Sequence, residues 1–576
     1  MQPSSISLRG FLSAALSIGH FACAQDEPQT GQHPDWPRWC GKVYEPGYPA
    51  FEPGGHTVAP PTNGSTFLHV QFKPRYSLYL STETTASFVV NAALSPWFGG
   101  EYVNSTGEGA EGQPFTELAF SINVADTGFP LVENKIAINT TGVEFEFDLS
   151  CLEPRVAPYE VVLSGASPFG DRDYTAVNEL FYLPDNPDGS ATKIDHVKGG
   201  LLFKNPGTGN EFVPLLPYGY YGLYNGSNET AASDEFVRNY TSNGTGLNAI
   251  ISLAGFADTN PVYDSMDEQA LHFMFDLRGS YQNLTDTEQR VNTIKHHTSL
   301  FAYWTADEPD GQQIPFDKSP AAQALIHKLD PYHPVAIVLN CHDYYFGPYA
   351  ASADILMEDV YPIGINSTFS KWGTTCNSTL GDCGCDGCEG VVQDVSSRLD
   401  DLTQYEVWLG RWPLPKFHNP QVFHGEDYWF RDPTAAEARA MNTLAFNRGA
   451  TGIFGWTWPS SAELFAAHSQ MAGVVTSPPV AGFLLGGQPT RLVIERHELL
   501  DVAYWIDGDR MMVSAVNGAY DDIAESLSIA LPVSATGIES VALGELPWKL
   551  LGGHLVIDLL PAMSTSFIIL NIRATG

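Results

Sequence analysis

Between about residue 214 and residue 475 the chain alternates short apolar runs with helical stretches, and this alternation restricts the fold more than any other feature. The runs read as strands over 215–221, 248–253, 271–275, 300–304, 335–339, 355–358, 407–410 and 452–456. Helical patterning falls between them, at 288–296, 321–329, 391–402 and 435–447. Eight strands with intervening helices over about 250 residues are the pattern of a (β/α)8 TIM barrel. An open doubly wound sheet is the alternative. It is disfavoured because no Gly-X-Gly-X-X-Gly follows the first strand and no phosphate loop occurs.

Both flanks carry β patterning. From about Cys40 to Asn210 short runs at 67–72, 86–90, 143–147 and 159–163 are separated by Gly, Pro and Asn clusters. After Pro478 the runs at 491–494, 502–506, 511–516 and 566–570 resume it. The expected architecture is multidomain, α/β plus all-β. It comprises a signal peptide over 1–24, an N-terminal β-sandwich over 25–213, the barrel over 214–477 and a C-terminal β-sandwich over 478–576.

Several features point to export. Arg9, the apolar core 11–18 and the small-residue site Ala22-Cys23-Ala24 make a secretory signal. Asn-X-Ser/Thr acceptors occur at Asn63, Asn104, Asn139, Asn225, Asn228, Asn239, Asn243, Asn283, Asn366 and Asn377. Cys40 and Cys151 flank the first β region and are placed to staple it. Cys376, Cys383, Cys385 and Cys388 crowd one loop in a spacing that fits disulfides better than zinc. Seven cysteines remain once Cys23 leaves, so one thiol lacks a partner within the chain. Acidic residues outnumber basic ones 66 to 29, which repels nucleic acid and anionic membranes. No later apolar run reaches the ~20 residues of a membrane span. The expected setting is secreted and extracellular, with wall association a further option.

A barrel carries its chemistry at the C-terminal ends of its strands. There the sequence places Tyr218, Tyr220 and Tyr221, then Asp276 and Arg278, then Trp304, Asp307 and Glu308. His342 to Tyr345, Glu358, Asp359 and Tyr361, Arg411 and Trp412, and Trp456 and Trp458 follow. One rim thus gathers aromatics and carboxylates. A pyranose has an apolar face for Tyr or Trp and a hydroxyl fringe for carboxylates, so the combination suits a carbohydrate substrate. Tyr218, Tyr220, Trp304, Tyr361, Trp412, Trp456 and Trp458 are the candidate sugar-binding residues.

Glu308 is the candidate general acid, with Asp307 its partner and Asp359 a further candidate catalytic carboxylate. An aromatic neighbourhood and the adjacent charge would raise the Glu308 pKa, as a proton donor at mildly acidic pH requires. The same Asp-Glu-Pro-Asp-Gly run is also compatible with a loop that merely caps the next helix. Asp359 and Tyr361 could serve only to brace the barrel top, and at least one of the three tyrosines should fill core because alternate strand residues face inward. No cofactor is called for. A metal site would need a histidine cluster, and only His342 is well placed.

The stretches Tyr303-Trp304-Thr305-Ala306-Asp307-Glu308-Pro309, Met357-Glu358-Asp359-Val360-Tyr361-Pro362 and Gly449 to Trp456 resemble strands four, six and eight of secreted (β/α)8-barrel glycoside hydrolases. Residues 428–434, which enter the helix at 435–447, resemble the loop before the seventh helix of such proteins. The resemblance implies an enzyme that cleaves O-glycosidic bonds of an oligo- or polysaccharide. Two departures accompany it. The large retaining clan carries Asn-Glu on strand four, where this chain has Asp307-Glu308. That clan also has a strand-seven Glu, where this chain has Gly410-Arg411-Trp412. The Asp-Glu pair resembles substrate-assisted hexosaminidases instead, in which the Asp orients the substrate's acetamido nucleophile. Inversion with Asp359 or Asp276 as base is the other route. A non-catalytic carbohydrate-binding protein on a degenerate barrel is the competing function.

Overall fold

The computed structural model describes residues 38–40, 42–43, 55–104, 114–223, 230–242, 246–253, 261–366, 384–426 and 429–573. The leader expected over 1–24, together with Asn225, Asn228, Asn243, Asn377, Cys376 and Cys383, lies outside them.

A closed barrel of eight parallel strands forms the centre. In chain order the strands are β1 (Tyr218–Leu223), β2 (Ala249–Leu253), β3 (His272–Asp276), β4 (Leu300–Asp307), β5 (Val335–Leu339), β6 (Ile355–Glu358), β7 (Lys416–His418) and β8 (Ala450–Trp458). The helices among them are α1 (Thr230–Thr241), α2 (Val262–Glu268), α3 (Leu284–Ile294), α4 (Lys318–Leu329), α5 (Phe346–Ala350), α6 (Gln393–Trp408), α7 (Ala435–Phe446) and α8 (Ala462–Val475). With helices outside and packed side chains inside, the strands bury both faces, which is why they read as continuous apolar runs. Parity still sorts the residues. Tyr221, Met274, Trp304, Val338, Met357, Phe417 and Phe454 fill the interior cluster. Tyr220, Phe273, Phe275 and Tyr303 join the cluster that also holds Met441 and Leu444 of α7.

The N-terminal end of the barrel is closed from below. A three-stranded sheet (Ala191–Ile194, Leu201–Lys204, Val213–Leu215) adds Ile194, Leu201, Phe203 and Leu215 to the interior cluster. Phe203 meets the His272 ring edge-on at 4.5 Å. The opposite end carries the C-termini of the barrel strands.

Ahead of it, two four-stranded antiparallel sheets share one apolar cluster that includes Phe72, Phe88, Phe120, Ile122 and Leu163. Beyond the barrel, a helix (Pro478–Gly486) leads into a five-stranded and a three-stranded sheet around Val513, Ile529, Leu555 and Ile568. The other face of the five-stranded sheet adds Trp505, Met512 and Phe567 to the cluster containing Met441 and Leu444.

The seventh strand differs from expectation. Residues 407–410 end α6 rather than form a strand. Gly410, at φ +62°, donates to Val407 O at 3.1 Å, and Arg411 donates to Glu406 O at 3.0 Å. That is a Schellman C-cap, which needs a left-handed residue where the glycine stands. The true strand, Lys416–His418, is hidden in the sequence by its charges. Lys416 Nζ is buried against Glu406 Oε2 at 2.7 Å, and His418 Nδ1 lies 2.5 Å from Glu358 Oε1.

The cysteines also pair differently. Cys40 bonds to Cys341, at the loop after β5, so it does not staple the first β region with Cys151. Cys151 is an exposed free thiol, and Cys385 bonds to Cys388. Asn63, Asn104, Asn139, Asn239, Asn283 and Asn366 are all exposed. Among the described residues no helix is long and apolar enough to cross a membrane.

Candidate active site

The site is assembled where β4 breaks its regular alternation. The β4–β5 register shifts between Trp304 and Ala306, a bulge that turns Ala306 outward into the cluster of Tyr349 and Leu356. Trp304 stays in the interior cluster. Bulges re-aim side chains in this way. Asp307 then reaches Arg278, which follows β3, its Oδ2 lying 3.2 Å from Nη1. The next residue, Glu308, sits at φ +46°, a left-handed conformation that costs an L residue roughly 1–2 kcal/mol. Its N–H donates to Val338 O at 3.1 Å, and its own carbonyl accepts Gln312 N–H at 3.0 Å. The turn therefore fixes Glu308 at the barrel mouth.

Glu308 and Asp359 are joined carboxyl to carboxyl by a hydrogen bond. Burial, then the charges of Asp359 and Asp307, push the Glu308 carboxyl well above the usual carboxylate range. Burial raises Asp359 as well, against the lowering effect of the Glu308 bond. Two carboxylates in contact cannot both ionise, so the pair holds a proton. The two carboxyls share that proton across their contact.

Arg278 neutralises the other side. Its Nε lies 3.3 Å from Asp276 Oδ2, and its guanidinium stands 5.2 Å from the Trp304 ring centre. Burial raises Asp276 to about 6 against the pull of Arg278. It raises Asp307 too, with Arg278 again opposing. Asp310, two residues beyond Glu308, is held at about 7 by burial, although Cys341, Gly311 and Asn340 donate backbone N–H groups to it.

The structure brings Trp304, Asp307, Glu308, Asp359, Tyr361 and Trp456 together. Tyr361 feels the charges of Asp359, Glu308 and Asp307. The Trp456 ring lies 5.1 Å from that of Tyr221. Tyr221, rather than Tyr218 or Tyr220, is the tyrosine on the inner face. It packs edge-on to Trp304 at 4.6 Å, and its hydroxyl accepts Asn419 Nδ2 at 3.3 Å.

The remaining expected residues lie elsewhere. Tyr218 accepts Asn442 Nδ2 at 2.8 Å and meets His468 at 3.2 Å, between barrel and helices. Tyr220 packs on His468 at 4.3 Å. Trp412 precedes β7 and donates to His196 O at 2.9 Å, at the barrel's N-terminal end. Trp458 leans on Phe236 and Tyr240 of α1 at 5.3 and 5.7 Å. Asn419 was missed because it follows the strand that the sequence hides. Tyr221 was recoverable, since in-out parity across 218–221 allows one inner tyrosine of the adjacent pair.

The buried polar atoms without a hydrogen bond at this mouth include Trp304 Nε1 and Asn419 Oδ1. A donor and an acceptor offered together match a ligand with hydroxyl groups. Among the described residues no cluster of His, Cys, Asp and Glu could hold a metal ion.

No protein-family model and no curated protein matches the sequence. Among solved structures, the chain is similar to a β-glucuronidase of Parabacteroides merdae, at 10% identity over 88% of this chain and 76% of that one, with a TM-score of 0.32. It is also similar to an Anoxybacillus α-amylase, at 9% identity over 62% and 92% of the two chains, with a TM-score of 0.40. A GH30 endoxylanase from Clostridium papyrosolvens C71 matches at 11% identity over 62% and 96%, with a TM-score of 0.38. Similarity at this level assigns neither a family nor a reaction.

Proposed function

We propose that the chain is a secreted glycoside hydrolase in which Glu308 protonates the leaving glycosidic oxygen. The observation that carries this reading is the contact between the Glu308 and Asp359 carboxyls, both raised by burial, at the C-terminal mouth of a barrel whose other end is plugged. Asp359 sustains the proton on Glu308, while Arg278 keeps Asp307 in place beside the acid. Tyr361 and Trp456, which are half-buried, supply ring faces for the sugar, backed by the buried Tyr221 and Trp304. The flanking sheets are read as β-sandwich domains, and the exposed sequon asparagines as glycan sites.

The second step is read as substrate-assisted. A retaining pair of carboxyls stands ~5–5.5 Å apart and an inverting pair ~6.5–9.5 Å, whereas Glu308 and Asp359 touch. The end of β7 reads His418-Asn419-Pro420-Gln421, again without a carboxylate. An acetamido group on the substrate, oriented by Asp307, removes the need for a protein nucleophile.

The test is hydrolysis of a panel of aryl glycosides and polysaccharides at pH 5 by wild type and Glu308→Gln, with the product anomer followed by NMR. Loss of turnover in the variant and retention on N-acetylhexosaminides are expected. Inversion would transfer the base role to Asp276. A fully active Glu308→Gln protein would sink the reading. Glycan binding with no hydrolysis by wild type would favour a binding protein, to which the bare β7 end also lends itself.

A further inference from the structure

We infer that a cavity between the N-terminal sheets and the closed end of the barrel binds a small hydroxylated carboxylate, a sugar acid or hydroxy acid, with Lys73 as its counter-charge. The cavity lies at the end of the barrel opposite the carboxyl mouth, and its ligand chemistry is independent of the glycosidase reading.

The cavity measures about 170 Å³, comparable to cavities that take a six-membered ring. Its walls come from parts of the chain that only the fold brings together. Lys73 stands in the strand Phe67–Pro74, Glu179 in the strand Asp173–Leu180, and Thr192 in the sheet that plugs the barrel. His327 comes from α4, and Asp354 directly precedes β6. Hydrogen bonds across the junction hold these walls in place. Thr192 N–H donates to Tyr332 O at 2.9 Å, and Trp412 Nε1 ties down His196 O at 2.9 Å. Fixed walls lower the ordering cost of binding.

The polar groups at the walls define the ligand. Lys73 is half-buried, and among the described residues it has no hydrogen bond or ion pair. Burial pulls its ammonium down, and the charge of Asp354 opposes this. Asp354 is committed elsewhere. Its Oδ1 accepts Gln323 Nε2 at 3.0 Å, and its Oδ2 accepts Val335 N–H at 2.8 Å and lies 2.7 Å from His327 Nε2. Against burial, Asp354 raises His327, so these two charges balance. Lys73 is left as the one uncompensated cation at the cavity wall, which a monoanion complements. A phosphate dianion would bring one charge too many, with Glu179 at the exposed rim adding repulsion. Two neutral groups favour hydroxyls. His196 donates Nδ1–H to Pro74 O at 2.8 Å, and burial, then the Lys73 charge, hold its pKa at about 3. Its Nε2 is therefore an acceptor. Thr192 is 1% exposed, and its hydroxyl has no hydrogen-bond partner among the described residues. A buried hydroxyl left unmet costs free energy that a polar ligand recovers. His333, also at the wall, has both nitrogens engaged, by Asp330 at 2.8 Å and Ser190 at 3.0 Å. A lone cation, an acceptor and an unmet hydroxyl around one small cavity match a carboxylate that carries hydroxyl groups.

The experiment is isothermal titration of the full chain with D-gluconate, D-glucuronate, L-lactate, inorganic phosphate and D-glucose, repeated on Lys73→Met and Thr192→Val. Saturable binding of at least one hydroxy acid is expected, with phosphate and glucose weaker by about tenfold or more. Lys73→Met should weaken hydroxy-acid binding by roughly tenfold or more, and Thr192→Val by roughly three- to tenfold. Without ligand, Lys73→Met should unfold at the wild-type Tm or above, because it removes a charge that burial opposes. The hydroxy acid should raise the Tm of wild type more than that of either variant. No hydroxy-acid binding at millimolar concentration overturns the inference, as does phosphate binding more tightly than every hydroxy acid. Hydroxy-acid binding that is unchanged in both variants puts the ligand elsewhere on the chain and overturns it too. Should Lys73→Met fail to fold, Thr192→Val, which keeps shape and charge, decides alone.

Discussion

Replacing Glu308 by glycine should stabilise the fold relative to alanine while leaving either variant without turnover. The backbone at Glu308 sits at φ +46°. A left-handed residue costs an L-amino acid roughly 1–2 kcal/mol, and glycine avoids that cost. The greater freedom of glycine in the unfolded chain takes back about 0.4–1 kcal/mol. Glycine should therefore exceed alanine by about 0.5–1 kcal/mol. Neither variant carries a carboxyl, so this difference should not depend on pH. The comparison with wild type should. The folded-state pKa of Glu308 is raised by burial and by Asp359, so its contribution is fully present below the ordinary carboxylate pKa. It is lost as pH rises through the folded value. Wild type should thus lose ground to both variants between pH 4 and pH 8. Calorimetric unfolding of the three proteins at those two pH values, beside turnover on the best aryl glycoside, reads both effects. Alanine as stable as glycine at both pH values would show that the turn stores no strain, and the argument would fail.

Three further outcomes are expected. Asp359→Asn removes a charge that raises Glu308, so the alkaline limb of kcat/KM should move to lower pH by ~1 unit or more, and an unmoved limb would contradict the shared proton. Arg278→Ala strands Asp276 and Asp307 together, at a cost of ~3–5 kcal/mol at pH 8. That cost should shrink toward pH 4 as the raised carboxyls protonate, visible as a converging pair of denaturant midpoints. Cys341→Ser opens a bridge between residues 301 apart in sequence, and chain entropy sets the loss at up to about 5 kcal/mol. Equal Tm values with and without the bridge would mean that the N-terminal segment holds the rim by its other contacts, such as Thr57 N–H to Asp343.

Most of the barrel was legible because a parallel sheet covered on both faces leaves uninterrupted apolar runs, as at 335–339 and 300–304. The one strand that was misplaced breaks this rule. Lys416 and His418 are buried only because Glu406 and Glu358 accompany them, and pairing at that distance leaves no local trace. The apolar end of α6 looked more like a strand than the strand did. The partner of Cys40 was illegible for a related reason, since Cys40 and Cys341 meet through the fold rather than the sequence, whereas a disulfide within the cysteine-rich loop, Cys385–Cys388, was expected. Among the tyrosines, only the register of β1 against β8, with its shift between Tyr220 and Gly222, selects Tyr221 as the one on the inner face.

The carboxyls were legible and their relation was not. Adjacent residues on a regular strand point to opposite faces, so Asp307 and Glu308 should not serve one site. The bulge before Asp307 and the left-handed turn at Glu308 defeat that rule within a few residues. A loop that only capped the next helix would be served by glycine at 308 and a regular strand before it. The cap reading also fails on the helix it requires, because α4 begins at Lys318, and Asp317, its N-cap residue, makes no capping bond. Local strain at Glu308, a proton shared with Asp359 and an unmet polar atom of Trp304 coincide at one end of the barrel. That coincidence, rather than the Asp-Glu dipeptide itself, is the argument for chemistry at this end of the barrel.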